Sequence, residues 1–334
     1  MAADFATVFA GKRALVTGGL GFIGSNLAHR LVALGATVTI ADARFADCGS
    51  NPFNIHELDD RLRVVIGDIS DAALAMSVVA GQDFVFNLAG RISHTDSMKQ
   101  PLADLDANAR CHLVLLEACR NNTDARIVYA GTRQVYGRPR YLPVDEAHPV
   151  APADVNGVSK LAGELYHLVY HTAHGLRTTS LRLTNVYGPR QHIRDARLGF
   201  VPWFIRLAVD GKTISIFGDG RQRRDLVYVD DAVDAFLSTA ASDAAIGQIF
   251  NVGGAEPVSL LELTQRIVAT AGGSPQTGYK LVPFPDERRA IDIGDFYTDY
   301  TKIRRVVGWE PKVSLDDGLR RTIDYYRRFK EHYW

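Results

Sequence analysis

Between Arg13 and Gly24 the chain reads Arg-Ala-Leu-Val-Thr-Gly-Gly-Leu-Gly-Phe-Ile-Gly, and no other stretch narrows the possible folds as much. Arg13 to Thr17 is an apolar run long enough for one buried parallel strand, and Gly18, Gly21 and Gly24 follow it at three-residue spacing. The first glycine permits a tight turn off the strand. The second lets backbone N–H groups approach a pyrophosphate, and the third lets the next helix pack closely on the strand. From Phe22 the pattern is helical, with Ile23, Leu27, Leu31 and Leu34 on one face and Gly35 ending it. The helix N-terminus and its dipole then meet the anion at one point.

Glycine-rich turns also join strands to helices in proteins that bind nothing, so the context decides. Val38 to Asp42 reads as a second strand ending in an acid, about 20 residues beyond the glycines, where a carboxylate accepts the ribose hydroxyls of a dinucleotide. Asp42 would also repel a 2′-phosphate, with Arg44 the nearby cation able to offset that. Residues 62–69 read as a third strand carrying Asp68 and Ile69 at its ligand-facing edge. Asp68 either holds the adenine amino group, caps the helix 71–80, or does both. A fourth strand, 84–90, runs into Leu88, Ala89 and Gly90, small where backbone must pass close to a ribose or nicotinamide.

Residues 91–99 read as a polar loop with His94, Asp96 and Ser97, and 101–121 as a helix. A strand at 126–130, a helix at 157–174 and a strand at 176–183 follow. Strand and helix alternating in this way predict an α/β fold, a Rossmann-type doubly wound parallel sheet. Past Tyr187 the alternation breaks. Short strands near 225–229 and 248–252 flank a helix from Asp230, and further helices fall at 260–271 and 315–330. The division expected is a dinucleotide-binding domain, 1–187 with 225–253, and a smaller interleaved α/β substrate domain, 188–224 with 254–334.

In 334 residues, 38 basic side chains balance 38 acidic ones, so nothing in the charge points to nucleic acid or a membrane surface, and any anion site must be local. Cys48, Cys111 and Cys119 show no metal-ligand spacing, and no metal is expected. With no signal-peptide pattern in residues 1–11 and no apolar run of membrane-spanning length, the expectation is a cytoplasmic protein.

Together these residues resemble the extended short-chain dehydrogenase/reductase family, in particular its nucleotide-sugar epimerases, dehydratases and decarboxylases. The resemblance runs from about Gly11 to the last helix. It is carried by the glycine stretch from Thr17 to Gly24, Asp68-Ile69, Asn87 to Gly90, Asn108, Thr132, Val135-Tyr-Gly137, Lys160, Leu181 to Arg190, Gly218 to Asp225 and Gly308-Trp-Glu-Pro311. It implies NAD as cofactor, held by Gly18, Gly21, Phe22, Ile23, Gly24, Asp42, Arg44, Asp68, Ile69, Leu88, Ala89 and Lys160. It implies a nucleotide-diphosphate sugar as substrate, with hydride passing between the sugar's C4 and the nicotinamide while a Ser/Thr, a Tyr and a Lys assist proton transfer. It also implies a homodimer built on helices 101–121 and 157–174, where Leu113, Leu116, Leu165 and Val169 require cover.

One position departs from the pattern. The family carries Tyr-x-x-x-Lys, one helical turn apart; this chain has Asn156-Gly-Val-Ser-Lys160. The family's lysine binds the nicotinamide ribose and lowers the tyrosine's pKa, whereas an amide can orient a hydroxyl but cannot act as its base. Thr132 matches the family's hydroxyl. Replacement bases are His94, of the side-chain type suited to proton transfer near neutrality, Asp96, or one of Tyr129, Tyr136 and Tyr141.

Where the family's 4,6-dehydratases place Asp and Glu and its decarboxylases a Glu, this chain has Arg133-Gln134, which speaks against a standard 4,6-dehydratase. An epimerase needs no such pair. Arg133 either meets an anionic sugar such as a uronate or is a surface arginine. Arg224 and Arg289 match the family's diphosphate-binding arginines, and Ser97, Gln134, Asn185 and Val201 complete the expected substrate contacts. The function that follows is 4-epimerase-type chemistry with a non-standard acid/base. The alternatives are an NDP-sugar dehydratase, decarboxylase or net C4 dehydrogenase, and a non-catalytic NAD and nucleotide-sugar-binding protein.

Overall fold

The expected apolar runs become strands. The computed structural model describes residues 4–45, 48–58, 61–274, 276, 278–285 and 291–334. In it β1 (Arg13–Thr17), β2 (Thr37–Asp42), β3 (Leu62–Ile66), β4 (Phe84–Asn87), β5 (Arg126–Thr132) and β6 (Arg177–Leu183) follow the alternation. After it come β7 (Asn185–Tyr187), β8 (Ile214–Phe217), β9 (Arg223–Tyr228), β10 (Ile249–Val252), β11 (Pro257–Ser259) and β12 (Tyr279–Val282). Among the described residues, seven of these form one sheet in the order β10-β6-β5-β4-β1-β2-β3, every pair parallel. The order reverses between β1 and β4, and such a sheet opens a ligand crevice at that point, beyond the strands' carboxyl ends.

Both faces of the central strands are covered. β1 and β4 are buried almost throughout, while β3, at the edge, leaves Val64 and Ile66 exposed. The helix Phe22–Ala33 turns Leu27 and Leu31 inward, fully buried, as its spacing predicts.

Several elements differ from expectation. Residues 94–99 are not loop but a short helix, His94–Lys99, because Ser93 Oγ caps it by accepting from Asp96 N at 3.2 Å. The helix expected over 101–121 is interrupted by a π-helical turn, Asp106–Arg110, between Pro101–Leu105 and Cys111–Asn122. β3 ends at Ile66, so Asp68 and Ile69 lie in the turn beyond it. The cap of Ala72–Val79 is Asp71, which accepts from Ala73 N at 2.8 Å, not Asp68. β9 joins β7 and β11 in a separate sheet, and the chain returns to the central sheet through the helix Val229–Ala240 and β10. Among the described residues no helix is long and apolar enough to cross a membrane, and no cluster of His, Cys, Asp or Glu could hold a metal ion.

Candidate active site

The turn after β1 is shaped so that only glycine fits. Gly18 has φ +67°, and a Cβ there would stand 3.0 Å from Ala89 N. A Cβ on Gly24 would reach within 2.4 Å of Gly18 O, so the helix Phe22–Ala33 can approach the turn only without one. That helix begins at Gly21 with no side-chain cap, leaving its first N–H groups to the crevice. Thr17 Oγ1 donates to Asn87 Oδ1 at 2.9 Å and accepts from Leu88 N and Ala89 N at 3.1 Å each, which fixes the backbone after β4.

Asp42 is buried at the end of β2, its carboxylate accepting from Leu20 N at 3.0 Å and Arg44 N at 2.8 Å. Further lone pairs remain for hydroxyls, since a carboxylate offers about four acceptor sites. All the residues expected to hold the cofactor line one cavity of about 560 Å³ that spans the crevice and continues beneath the C-terminal elements.

Lys160 lies one turn along the helix Val155–His174, buried, with Nζ donating to Ala130 O at 3.4 Å. Burial pulls its pKa down to about 8. Gly90 gives it room, because a Cβ there would fall 2.9 Å from Nζ and 2.5 Å from Asn108 Oδ1. The small residue predicted for a passing cofactor is thus also required by the protein's own lysine.

Asn156 is 1% exposed, and its amide is occupied: Nδ2 donates to Arg91 O at 2.9 Å and to Asp104 Oδ2 at 2.8 Å. Asn108, in the π-helical turn, donates to the same Asp104 oxygen at 3.1 Å and accepts from Arg91 N at 3.1 Å. Asn156 borders the cavity, and its side-chain amide braces the segment after β4. Ser97 belongs to the same brace. It is 2% exposed, donates to His94 O at 2.7 Å, accepts from Asn156 N at 3.2 Å, and does not line the cavity.

Of the replacement bases, the three phenols face elsewhere. Tyr129 is fully buried with its hydroxyl on Lys160 O, and burial pushes its pKa far up. Tyr136 is buried against Asn251 Oδ1 at 2.7 Å and is pushed up to about 12 by burial. Tyr141 is exposed and bonded to Asp145. Asp96 pairs with Arg197 at 3.4 Å, outside the cavity.

His94 remains. It lines the cavity, with Nδ1 hydrogen-bonded to Asp154 Oδ2 and Nε2 2.6 Å from Gln134 Nε2. Asp154 caps the helix of Lys160, accepting from Gly157 N at 2.7 Å. Burial alone would raise its pKa, but the hydrogen bond and charge of His94, the Gly157 N–H and the Arg133 charge outweigh it and hold the carboxylate below its usual value. In the neutral form of His94 with Nδ1–H given to Asp154, Nε2 accepts from the Gln134 amide; in the charged form both ring nitrogens donate. Gln134 N in turn donates to Thr132 Oγ1 at 3.2 Å, so a hydrogen-bonded line joins Thr132, Gln134, His94 and Asp154.

Asp154, which the sequence reading did not single out, joins His94 in the cavity. Its one local signal is its position as a cap just before an amphipathic helix. Arg133, Asn185, Val201 and Arg224 also line the cavity. Asn185 donates to Asp225 O at 3.1 Å, and Arg224 Nη1 donates to Arg223 O and Gly294 O at 2.8 and 2.6 Å. Arg289 lies outside the described residues.

A doubly wound parallel sheet with a glycine cradle at its reversal point, an acid at the end of the second strand and a buried lysine beside the crevice define a Rossmann-type dinucleotide-binding protein. The chain belongs to the NAD-dependent epimerase/dehydratase family, whose model matches residues 14–253. It is 35% identical over 317 residues to a UDP-glucose 4-epimerase of Mycolicibacterium smegmatis, covering 94% of this chain and 98% of that protein. It is 32% identical over 323 residues to a dTDP-glucose 4,6-dehydratase of Streptomyces niveus, with 94% and 93% covered. A dTDP-glucose 4,6-dehydratase from Streptomyces venezuelae, solved as a double mutant with NAD bound, superposes with a TM-score of 0.86 at 29% identity, covering 96% of this chain and 98% of that one. The cofactor of the family is NAD, and the glycine-only cradle, the uncapped helix N-terminus and Asp42 fit it.

Proposed function

We infer that the protein is an NAD-dependent enzyme acting on a nucleotide-diphosphate sugar, by 4-epimerase-type chemistry through a transient 4-keto sugar, with His94 as its acid/base. The observation that carries this is the pairing of His94 with Asp154 in the cavity, joined to Thr132 through Gln134, while Asn156 is committed to Arg91 and Asp104.

Bound NAD would supply a reversible hydride acceptor for C4 of the sugar. The glycine turn, Asp42 and Lys160 hold the dinucleotide. Thr132 Oγ1 hydrogen-bonds the 4-hydroxyl, and His94 Nε2 accepts its proton, in the place the Gln134 amide now occupies. Asp154 keeps Nδ1 protonated, orients the ring and stabilises the imidazolium that forms, and His94 later gives the proton back. Residues 133 and 134 supply no carboxylate pair for eliminating water, which favours epimerisation over dehydration. Arg224, with one nitrogen anchored on two carbonyls, presents the rest of its fork for the diphosphate, and Arg289 belongs to the same proposal.

Two copies of the chain complete the assembly. On the helix Val155–His174, Val158, Leu165 and Val169 are about half exposed, and Leu102 and Leu105 are exposed nearby, whereas Leu116 is buried within the subunit. Sedimentation should find a dimer at micromolar concentration, and Val169→Glu should shift it to monomer.

The function is tested by incubating the protein and NAD with UDP-, dTDP- and GDP-sugars and following products by NMR together with absorbance at the NADH band. Epimer formation without lasting NADH supports it. Water or CO2 loss, or accumulating NADH, would replace it with the corresponding eliminating, decarboxylating or oxidising activity. Binding without turnover of any sugar would make the protein a sensor.

A further inference from the structure

Arg133 follows Thr132 directly at the end of β5 and lines the cavity. It is not the surface arginine that the sequence left open. Its guanidinium lies over the Phe296 ring, 4.9 Å from the centroid, so one flat face is covered and the planar edge of the fork is left to bind. Nη1 is buried and has no hydrogen-bond partner among the described residues. Burial, followed by the charge of Arg224, pulls the pKa down to about 9, and Asp225 and Asp154 offset this only in part. A guanidinium in that setting keeps its proton, and among the described residues its Nη1 is bonded to no anion.

The nearby carboxylates are already engaged. Asp154 serves His94 and Gly157 N. Asp225 accepts from Thr184 Oγ1 at 2.6 Å and Thr298 N at 3.1 Å. Neither carboxylate is bonded to Arg133 Nη1, which leaves that nitrogen open to an anion of the substrate.

Two substrate anions are candidates, the diphosphate proposed for Arg224, whose charge reaches Arg133, and a carboxylate on the sugar, and the place of Arg133 in the chain favours the second. Arg133 stands between Thr132, which would meet the reacting hydroxyl, and Gln134, which touches His94. In a hexuronate the carboxyl carbon is bonded to C5, the neighbour of C4. A ring whose 4-hydroxyl meets Thr132 and His94 thus carries its carboxylate within reach of the adjacent residue, whereas its diphosphate leaves from C1 across the ring.

We propose that Arg133 is a specificity residue that binds a carboxylate on the sugar, so that the preferred substrates are nucleotide-diphosphate uronates; this rests on the nucleotide-sugar function proposed above. Calorimetry on the NAD-loaded protein at one ionic strength would compare UDP-glucuronate with UDP-glucose, dTDP-glucuronate with dTDP-glucose, and UDP alone. In at least one pair the uronate should bind about tenfold or more tightly than the neutral sugar, the range for a charge-assisted hydrogen bond. Arg133→Gln should erase that preference and leave the affinity for UDP unchanged.

Equal binding of uronate and neutral sugar by the unmutated protein overturns the proposal and leaves the nucleotide-sugar function intact. So does an Arg133→Gln protein that keeps the preference, or one that loses affinity for UDP as much as for the uronate, which would place Arg133 on the diphosphate. If none of the nucleotides binds, the nucleotide-sugar function falls and the proposal with it.

Discussion

Lys160→Met should stabilise the protein while weakening its hold on NAD. The lysine is 6% exposed, and its pKa is drawn from an ordinary 10.5 to about 8 by burial. At about 1.4 kcal/mol per pH unit, keeping the proton at pH 7 costs the native state on the order of 3 kcal/mol. Methionine nearly matches the volume of the stem and carries no charge. Against the gain stand the long bond to Ala130 O, at 3.4 Å, and the contact of Nζ with the Tyr129 ring, 5.5 Å from its centroid. Together these contribute about 1–2 kcal/mol. The net expectation is a gain of about 1–2 kcal/mol, or roughly 1.5–3 °C in the melting temperature of a chain this size.

The pH dependence gives the sharper check. Between pH 8 and 10.5 the unfolded chain binds a proton at residue 160 that the native protein has released, so wild-type stability rises through this window while the variant gains nothing from that site. The gap between them should be full below pH 8 and close toward pH 10.5. Thermal melts of cofactor-free protein across that range measure it. A variant that melts lower than wild type at pH 7, or a gap that does not change with pH, would refute the account of Lys160 as a buried charge held for function.

Asn156→Asp, although nearly isosteric, should destabilise the protein by about 2–4 kcal/mol at pH 7, because a carboxylate would replace the amide that donates to Asp104 Oδ2 at 2.8 Å. The carboxylate pair would share a raised native pKa, so the deficit relative to wild type should shrink on acidification; denaturant midpoints at pH 7 and pH 5 check both statements. His167 is fully buried between Asn87 and Gly163 O, and burial pulls its pKa down to about 4. The unfolded chain then binds the extra proton below pH 6.5, so this site should cost up to about 3 kcal/mol of stability as pH falls from 6.5 to 4. His167→Gln should flatten the slope of melting temperature against pH in that window.

The fold and the cofactor crevice were legible in the sequence because their signals are local. The glycines after β1 answer to a turn and two close approaches within a few residues, and Asp42 ends a strand that its own apolar run defines. The acid/base proposed here was less legible, since it depends on contacts between distant segments. His94 and Asp154 are 60 residues apart, and only folding brings the cap of one helix onto a residue of another. The brace through Asn156, Asp104, Asn108 and Arg91 likewise joins two helices to the segment after β4. The tyrosines could be named from the sequence but set aside only by their places in the fold, Tyr129 and Tyr136 buried and Tyr141 exposed on Asp145. Gly90 was correctly expected to be small, yet the atoms that demand it include the protein's own Nζ. Arg133 could be singled out by its type, whereas only the structure shows that among the described residues its buried Nη1 has no hydrogen-bond partner.

The central claim, that His94 held by Asp154 does the proton transfer the missing tyrosine would have done, is tested most directly by stopped-flow of His94→Gln loaded with NAD. The NADH band would be followed in a single turnover of the best nucleotide sugar, with the affinity for that sugar measured alongside. The account predicts that the rate of NADH appearance falls about 10²–10⁴-fold, the usual worth of a general acid/base, while the sugar still binds. A rate within about tenfold of wild type, no more than one lost orienting hydrogen bond would cost, would contradict it.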